Sequence, residues 1–397
     1  MRHTELLAPA GDAECVGAAL RFGADAVYIG GELLQLRAQK AAFDRAALTS
    51  AAETVHTAGK KLYVTVNSFM RTDETAALAE YSRFLYDAGA DAAIVSDLGA
   101  LDTIKKNAPS LPVHISTQAN CCNAAAARVY YNLGAERIVL AREMTVPQIR
   151  ELRENTPEAL ELEAFVHGAM CMAYSGRCLI SSYLNGRSGN RGECTQPCRW
   201  SYYLMEEKRP GEYFKLEENG GASAILSSHD LNCIDFIDEL ADAGVDSFKI
   251  EGRMKTAYYV ATVVNAYRRR IDGTADLSLL HRELDSVSHR PFSSGFYHGA
   301  LGKHHNNDGQ YRSDCRFAGV VLGRAENGYY VQQRNRFCVG DVLEVLSPNS
   351  IGQSFIAEEI ISSAGESVPE AKLVAETVAV RTDVPLAAGD FLRIRSE

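Results

Sequence analysis

What most constrains this chain is a beat of eight short apolar runs: ELLAPA (5–10), AVYIG (26–30), KLYVTVN (61–67), AAIVS (92–96), VHIST (113–117), RIVLA (137–141), LEAFVHG (162–168) and SFKIEG (247–252). Most are followed by a helix-like amphipathic stretch, the pattern of a parallel sheet with crossover helices. FGADAVYIG, AGADAAIVS, LGAERIVL and AGVDSFKIEG repeat one arrangement, in which a glycine caps a helix immediately before a strand. A doubly wound open sheet shares these local signals. Eight units within about 250 residues favour an α/β fold of the (β/α)8 TIM-barrel type, expected over residues 1–272.

The beat breaks once, between the seventh and eighth runs, so the barrel is expected to carry an insertion at 169–227. The first part of that insertion, CMAYSGRCLISSYLNGRSGNRGECTQPCRW, is rich in Cys, Gly, Ser and Arg. The second reads as short strands around RPGE and ENGG turns. SHDLNCIDFIDELADAG then supplies the seventh helix, with Ser228 or Asp230 as its N-cap. A helical linker and an SVSHR loop are expected over 273–310. Beyond Tyr311, FAGVVLG, GYYVQQ, GDVLEVLS, KLVAETVAV and GDFLRIRS are short, β-branched and punctuated by turns. They predict a small antiparallel β-barrel domain at 311–397. CVGDVLEVL and AAGDFLRIR are near-copies, with Gly-Asp turns at Gly340 and Gly389.

Four of the ten cysteines, Cys171, Cys178, Cys194 and Cys198, fall in the insertion with spacing C-x6-C-x15-C-x3-C. An iron–sulfur cluster, a zinc ion and unrelated buried thiols all remain open on spacing alone. The long, unequal gaps lack the paired C-x2-C knuckles usual in structural zinc sites, which favours the cluster. A radical S-adenosylmethionine motif does not fit, because Ser201 stands where the third cysteine would be. The amino terminus has no basic segment followed by an apolar stretch, and no run approaches a membrane span, so reduced thiols and a cytoplasmic location are expected.

A net charge of −10 and a pI near 5.6 exclude a broad basic face of the kind that holds nucleic acid by counterion release. Any RNA contact has to be local. Arg177, Arg187, Arg191 and Arg199, interleaved with Tyr174, Tyr183, Trp200, Tyr202 and Tyr203, form a candidate phosphate-reading lip with stacking plates. The plainer alternative is that the arginines offset anionic thiolates. In FKIEGRMK, alternation turns Lys249, Glu251 and Arg253 into the barrel mouth as candidate catalytic groups; a paired Lys–Glu layer closing the barrel is the alternative. Asn67, Gln118, Arg142, Glu143 and His167 stand near other strand ends, although a lone histidine in this setting is more often a packing residue. Neither H-E-x-x-H nor G-x-S-x-G occurs, so peptidase chemistry receives no motif support.

FVHGAMCMAYSGRCLISSYLNGRSGNRGECTQPCRW, with STQAN (116–120), SSHDL (227–231), FKIEGRMK (248–255) and SVSHRPFSSGF (286–296), closely resembles peptidase family U32. The resemblance extends over the whole chain, including the family's small C-terminal β-barrel domain. Despite the family's collagenase-like label, it implies an oxygen-independent hydroxylation protein with a [4Fe-4S] cluster on Cys171, Cys178, Cys194 and Cys198. The tRNA-hydroxylating branch is the most similar, which implies formation of 5-hydroxyuridine at the wobble position with prephenate as hydroxyl donor. Similar relatives hydroxylate a ribosomal RNA cytidine or a quinone ring. On that reading Arg142, Lys249 and Arg253 meet the dicarboxylate donor, His167 and Glu251 assist, and Gln118, Arg187, Arg191 and Trp200 meet tRNA. A protein partner or electron donor is a further expectation.

Overall fold

The computed structural model describes residues 4–36, 42–200, 203–205, 213–215, 228–299 and 311–396, with 203–205 and 213–215 described as backbone only. Each of the eight apolar runs forms a parallel strand: β1 Glu5–Pro9, β2 Ala26–Gly30, β3 Lys61–Val66, β4 Ala92–Val95, β5 Val113–Ile115, β6 Arg137–Val139, β7 Glu161–Ala169 and β8 Ser247–Ile250. Neighbours pair in chain order, and β8 joins both β7 and β1, which closes the barrel. β2 is buried at every position, as expected of a strand covered on both faces. Leu7, Ala26, Tyr28, Tyr63, Ala92 and Ile94 pack together as one apolar cluster.

The capping glycines behave as their sequence context requires. Gly23, Gly89, Gly134 and Gly244 have φ of 102°, 85°, 95° and 90°, a left-handed turn that a side chain would strain. The aspartates two positions on add a staple. Asp25, Asp91 and Asp246 accept the backbone N–H of Leu6, Leu62 and Leu162, at 3.0, 2.7 and 2.9 Å, and so tie each incoming strand to its neighbour.

Three expectations differ from what forms. The seventh helix covers only Ile237–Asp242, and its N-cap is Phe236 rather than Ser228 or Asp230. Asp230 instead opens a short strand, Asp230–Asn232, that pairs antiparallel with the far half of β7. The segment expected as an SVSHR loop is partly built into the barrel: His289 and Arg290 are buried, and Phe292–Ser293 adds a strand beside Asp230–Leu231. Within the insertion, Tyr203–Met205 and Tyr213–Lys215 form the expected antiparallel pair, while the RPGE and ENGG turns lie outside the described residues.

The chain divides into two compact units, the first comprising 1–20, 24–256 and 289–311, the second 21–23, 257–288 and 312–397. The second contains the helices Ala257–Asp272 and Leu277–Asp285 and an eight-stranded antiparallel sheet that curls over Val321, Val331, Phe337, Leu343, Val378 and Leu392. Its near-copied segments fold alike. The Cys338 and Ala387 N–H groups each donate, at 2.8 Å, to the aspartate three residues on, Asp341 and Asp390. The strands that follow these turns pair antiparallel, with Val345 opposite Leu392. Among the described residues, no helix is long and apolar enough to cross a membrane.

Candidate functional site

One cavity of about 330 Å³ lies at the carboxyl ends of the strands, where (β/α)8 barrels assemble their reactive groups. Tyr28, Thr65, Phe165 and Lys249 come from the strands themselves. Asn67, Gln118, Arg142, Glu143, Glu251 and Arg253 come from just beyond them. The insertion contributes Cys171, Cys178, Cys194, Cys198 and Arg199. The four thiols and most of the candidate polar residues therefore share one enclosure, although residues as distant in sequence as Tyr28 and Arg253 supply its walls.

Lys249 sits inside the barrel, 4% exposed, with Nζ 2.6 Å from Glu163 Oε1 and 4.4 Å from the centre of the Tyr28 ring. Glu163 is itself held by Arg137 at 3.0 Å, and Arg137 reaches Glu5 at 2.6 Å. Burial lowers the Lys249 pKa, while Glu163 opposes that shift. A Lys–Glu pair does form inside the barrel, between neighbouring strands, but the carboxylate comes from β7 rather than from Glu251. Arg253 is 5% exposed and donates to Thr65 Oγ1 at 2.7 Å. Gly30 makes room for it: a Cβ there would stand 2.2 Å from Arg253 Nη1 and 2.0 Å from Gln35 Oε1. Arg142 lies 3.8 Å above the Phe165 ring and donates to the Ala169 carbonyl at 2.9 Å. Gln118 Oε1 and Asn67 Oδ1 are buried without a hydrogen-bond partner among the described residues, so both amides retain capacity for a ligand.

His167 lies elsewhere, for a local reason. Lys249 pairs with Phe165 but Ile250 pairs with His167, so β7 carries one extra residue there and its alternation is reset. The imidazole packs against Phe292, outside the cavity lining. Burial, reinforced by His289 and Lys255, pushes its pKa down to about 3 from 6.5. The folded ring therefore stays neutral where an unfolded one takes up a proton. Above about pH 6.5 this costs nothing; below it the unfolded chain gains the proton and stability falls with pH until the folded pKa is reached. Between pH 6.5 and pH 5 the loss from this ring is about 2 kcal/mol. His167→Gln should lack that component in urea melts across this range, whereas equal pH slopes in the two proteins would remove His167 as its source.

The insertion is fastened over the cavity at several points. Glu143 accepts from both the backbone N–H and the hydroxyl of Ser175, at 2.5 and 2.6 Å, and so secures a residue whose φ of 42° is costly for anything but glycine. Arg177 Nε donates to the Gln118 carbonyl at 2.7 Å. Arg191 pairs with Glu74 at 2.6 Å and also reaches the Phe69 carbonyl, so this candidate RNA contact is a structural clamp. Arg187 is exposed, and Trp200 and Tyr183 are 44% and 88% exposed.

At the root of the insertion, Ser228 Oγ donates to the Met170 carbonyl at 2.6 Å, and Arg290 Nη2 donates to the same oxygen at 3.2 Å. Arg290 pairs with Asp230 at 2.8 Å, both side chains 1% exposed. Sequence reasoning assigned no such latch to Asp230 or Arg290. Nothing in the two short segments, HDLN and HRPF, marks their charges as partners.

The ten cysteines form no disulfide. Cys178 and Cys194 each accept a backbone N–H at 3.4 Å, from Ile180 and Gln196 respectively. Burial and the thiols of Cys171, Cys194 and Cys178 raise the Cys198 pKa against the pull of Arg199. Among the described residues, no three His, Cys, Asp or Glu side chains converge so as to hold a single metal ion.

The sequence profile of Peptidase family U32 matches residues 11–307, and that of the Peptidase family U32 C-terminal domain matches 313–393. The chain belongs to peptidase family U32. Among its U32 relatives, one from Bacillus subtilis (strain 168), named tRNA hydroxylation protein P1, is 36% identical and aligns over 99% of this chain and 95% of its own length. A second, from Escherichia coli (strain K12), named a 23S rRNA 5-hydroxycytidine synthase, is 39% identical over 68% of this chain and 39% of its own length. A third, from Porphyromonas gingivalis (strain W83), is named a collagenase and is 37% identical over 74% of this chain and 73% of its own. Within this U32 chain, the stretch matching the main profile contains both the four-cysteine insertion and every strand of the barrel except β1.

Proposed function

We propose that this chain hydroxylates RNA, converting the wobble uridine of tRNA to 5-hydroxyuridine with prephenate as hydroxyl donor. A [4Fe-4S] cluster on Cys171, Cys178, Cys194 and Cys198 belongs to the same proposal. The observation that carries it is one cavity with four thiols on its outer wall and Arg142, Arg253 and Lys249 deeper in. The near end-to-end match with the tRNA hydroxylation relative supports tRNA over rRNA, since the rRNA synthase shares less than half of its own length.

The donor set fits a cluster better than the zinc alternative. The long, unequal gaps between the cysteines lack the paired C-x2-C knuckles usual in structural zinc sites, and four thiolates are the common ligand set of a [4Fe-4S] cluster. A bound cluster would supply one-electron or Lewis-acid chemistry at the outer wall. The protein's own residues bind and orient. The buried guanidinium of Arg253 and the ammonium of Lys249 present positive charge to a dicarboxylate. Gln118 and Asn67 offer amides to a base drawn out of its stack, and Tyr183, Trp200 and Arg187 supply exposed stacking and phosphate contacts. Thiol chemistry of this kind belongs in a reducing cytoplasm, and turnover calls for an electron donor or protein partner.

Arg253→Ala tests the reading without touching the thiols. In a strain lacking the wild-type gene, tRNA nucleosides from cells carrying this variant should lose 5-hydroxyuridine by about 100-fold or more, while the purified protein keeps its iron absorbance. Undiminished 5-hydroxyuridine would remove Arg253 from the donor site. Intact tRNA with a missing rRNA hydroxycytidine in the deletion strain would move the assignment to the rRNA.

A further inference from the structure

Among the described residues Lys249 is the one lysine on the cavity wall, and three features of its surroundings go beyond those of a simple ion pair. Its amine emerges from a strand inside a closed barrel, so backbone motion does not blur its position. The carboxylate it hydrogen-bonds, Glu163, is fully buried at 2.6 Å and is anchored from behind by Arg137. The rings of Tyr28 and Phe165, with centres 4.4 and 5.5 Å from Nζ, shield the amine from bulk water. A desolvated lysine with an adjacent proton acceptor is the arrangement that makes an amine nucleophilic toward carbonyl carbon. The guanidinium groups of Arg142 and Arg253 line the same cavity and suit the carboxylate of such a carbonyl compound.

We propose that Lys249 condenses with the ketone of a 2-oxo carboxylate, holding it in the cavity as an iminium with Glu163 as the proton carrier. The inference rests on the reading that an organic acid donor occupies this cavity, and it adds a covalent attachment point. A C–N bond forms between Nζ and the carbonyl carbon, and the C=O bond breaks. The oxygen leaves as water, carrying two of the three ammonium protons, which Glu163 accepts and returns in turn. The third proton stays on the iminium nitrogen, facing the Glu163 carboxylate. Nothing is oxidised or reduced. Burial, which lowers the Lys249 pKa, increases the fraction of neutral amine available.

The test is reductive trapping on the full-length, cluster-loaded protein under anaerobic conditions. Pyruvate, the simplest 2-oxo carboxylate, is added with cyanoborohydride, and the product is read by intact mass and peptide mapping. One reduced pyruvate should appear per chain, on the peptide containing Lys249. Lys249→Arg, which keeps the positive charge, should give none, and Glu163→Gln should slow trapping at least tenfold. Absence of label on Lys249 in the wild-type protein overturns the proposal whether or not the variants fold, as does label scattered over surface lysines. The parent reading fails separately. If trapping succeeds but deletion leaves RNA nucleosides unchanged, the lysine chemistry stands and RNA hydroxylation falls. If deletion removes 5-hydroxyuridine but no adduct forms, RNA hydroxylation stands and the iminium falls.

Discussion

Cys194→Ser should yield a colourless protein with little iron or acid-labile sulfide, and cells relying on it should make at least about 100-fold less 5-hydroxyuridine. Loss of outer partners alone costs a metal site roughly 10- to 100-fold, so removing a direct ligand costs more. A serine hydroxyl does not ionise near neutrality, and therefore is a poor substitute for a sulfur ligand to iron. Cys194 is exposed, so the fold itself should be little affected, and circular dichroism should match the wild type. If the variant keeps its iron and its product, the cluster assignment is wrong at this position. If it keeps its product but loses its iron, the cluster is not needed for the reaction.

The second large effect is on stability. Arg290→Ala leaves the Asp230 carboxylate buried without its counter-charge and strips one donor from the Met170 carbonyl. Breaking a fully buried pair in this way costs about 3–5 kcal/mol, which for a unit of this size lowers Tm by roughly 10 °C. Replacing both partners with apolar residues, as in Asp230→Leu with Arg290→Met, should recover part of that loss, because no charge is then stranded. A melting curve for Arg290→Ala within 2 °C of the wild type, a shift of about 1 kcal/mol or less by the same conversion, would show that the pair is not a latch. The insertion should also become more sensitive to limited proteolysis, since its root loses two of its ties.

The barrel was readable because its signals are local. Gly23, Gly89, Gly134 and Gly244 announce the end of a helix, and the apolar runs that follow have one stable arrangement once they number eight. The cavity thiols were readable because four cysteines in one insertion stand out against six that are scattered. What sequence could not supply was pairing at long range. Glu163 and Lys249 are 86 positions apart, and Asp230 and Arg290 are 60 apart, so nothing local distinguishes a buried ion pair from two solvated charges. His167 shows a different limit. Strict alternation would point it into the cavity beside Phe165, and one extra residue in β7 reverses its direction. Arg191 read as a phosphate contact because Glu74, its partner, lies in a short 3-10 turn 117 positions earlier.

The latch at Met170 and Ser228 has a consequence for how such a protein diversifies. These two residues are 58 positions apart in sequence yet share a hydrogen bond, so everything between them leaves and returns through a single doorway. Residues can be gained or lost inside that doorway at small closure cost, provided the ties of Ser175, Arg177 and Arg191 to Glu143, Gln118 and Glu74 are kept. The cysteine-bearing segment is in this sense a cartridge on a single stem, exchangeable as one unit so long as its partners on the barrel come with it.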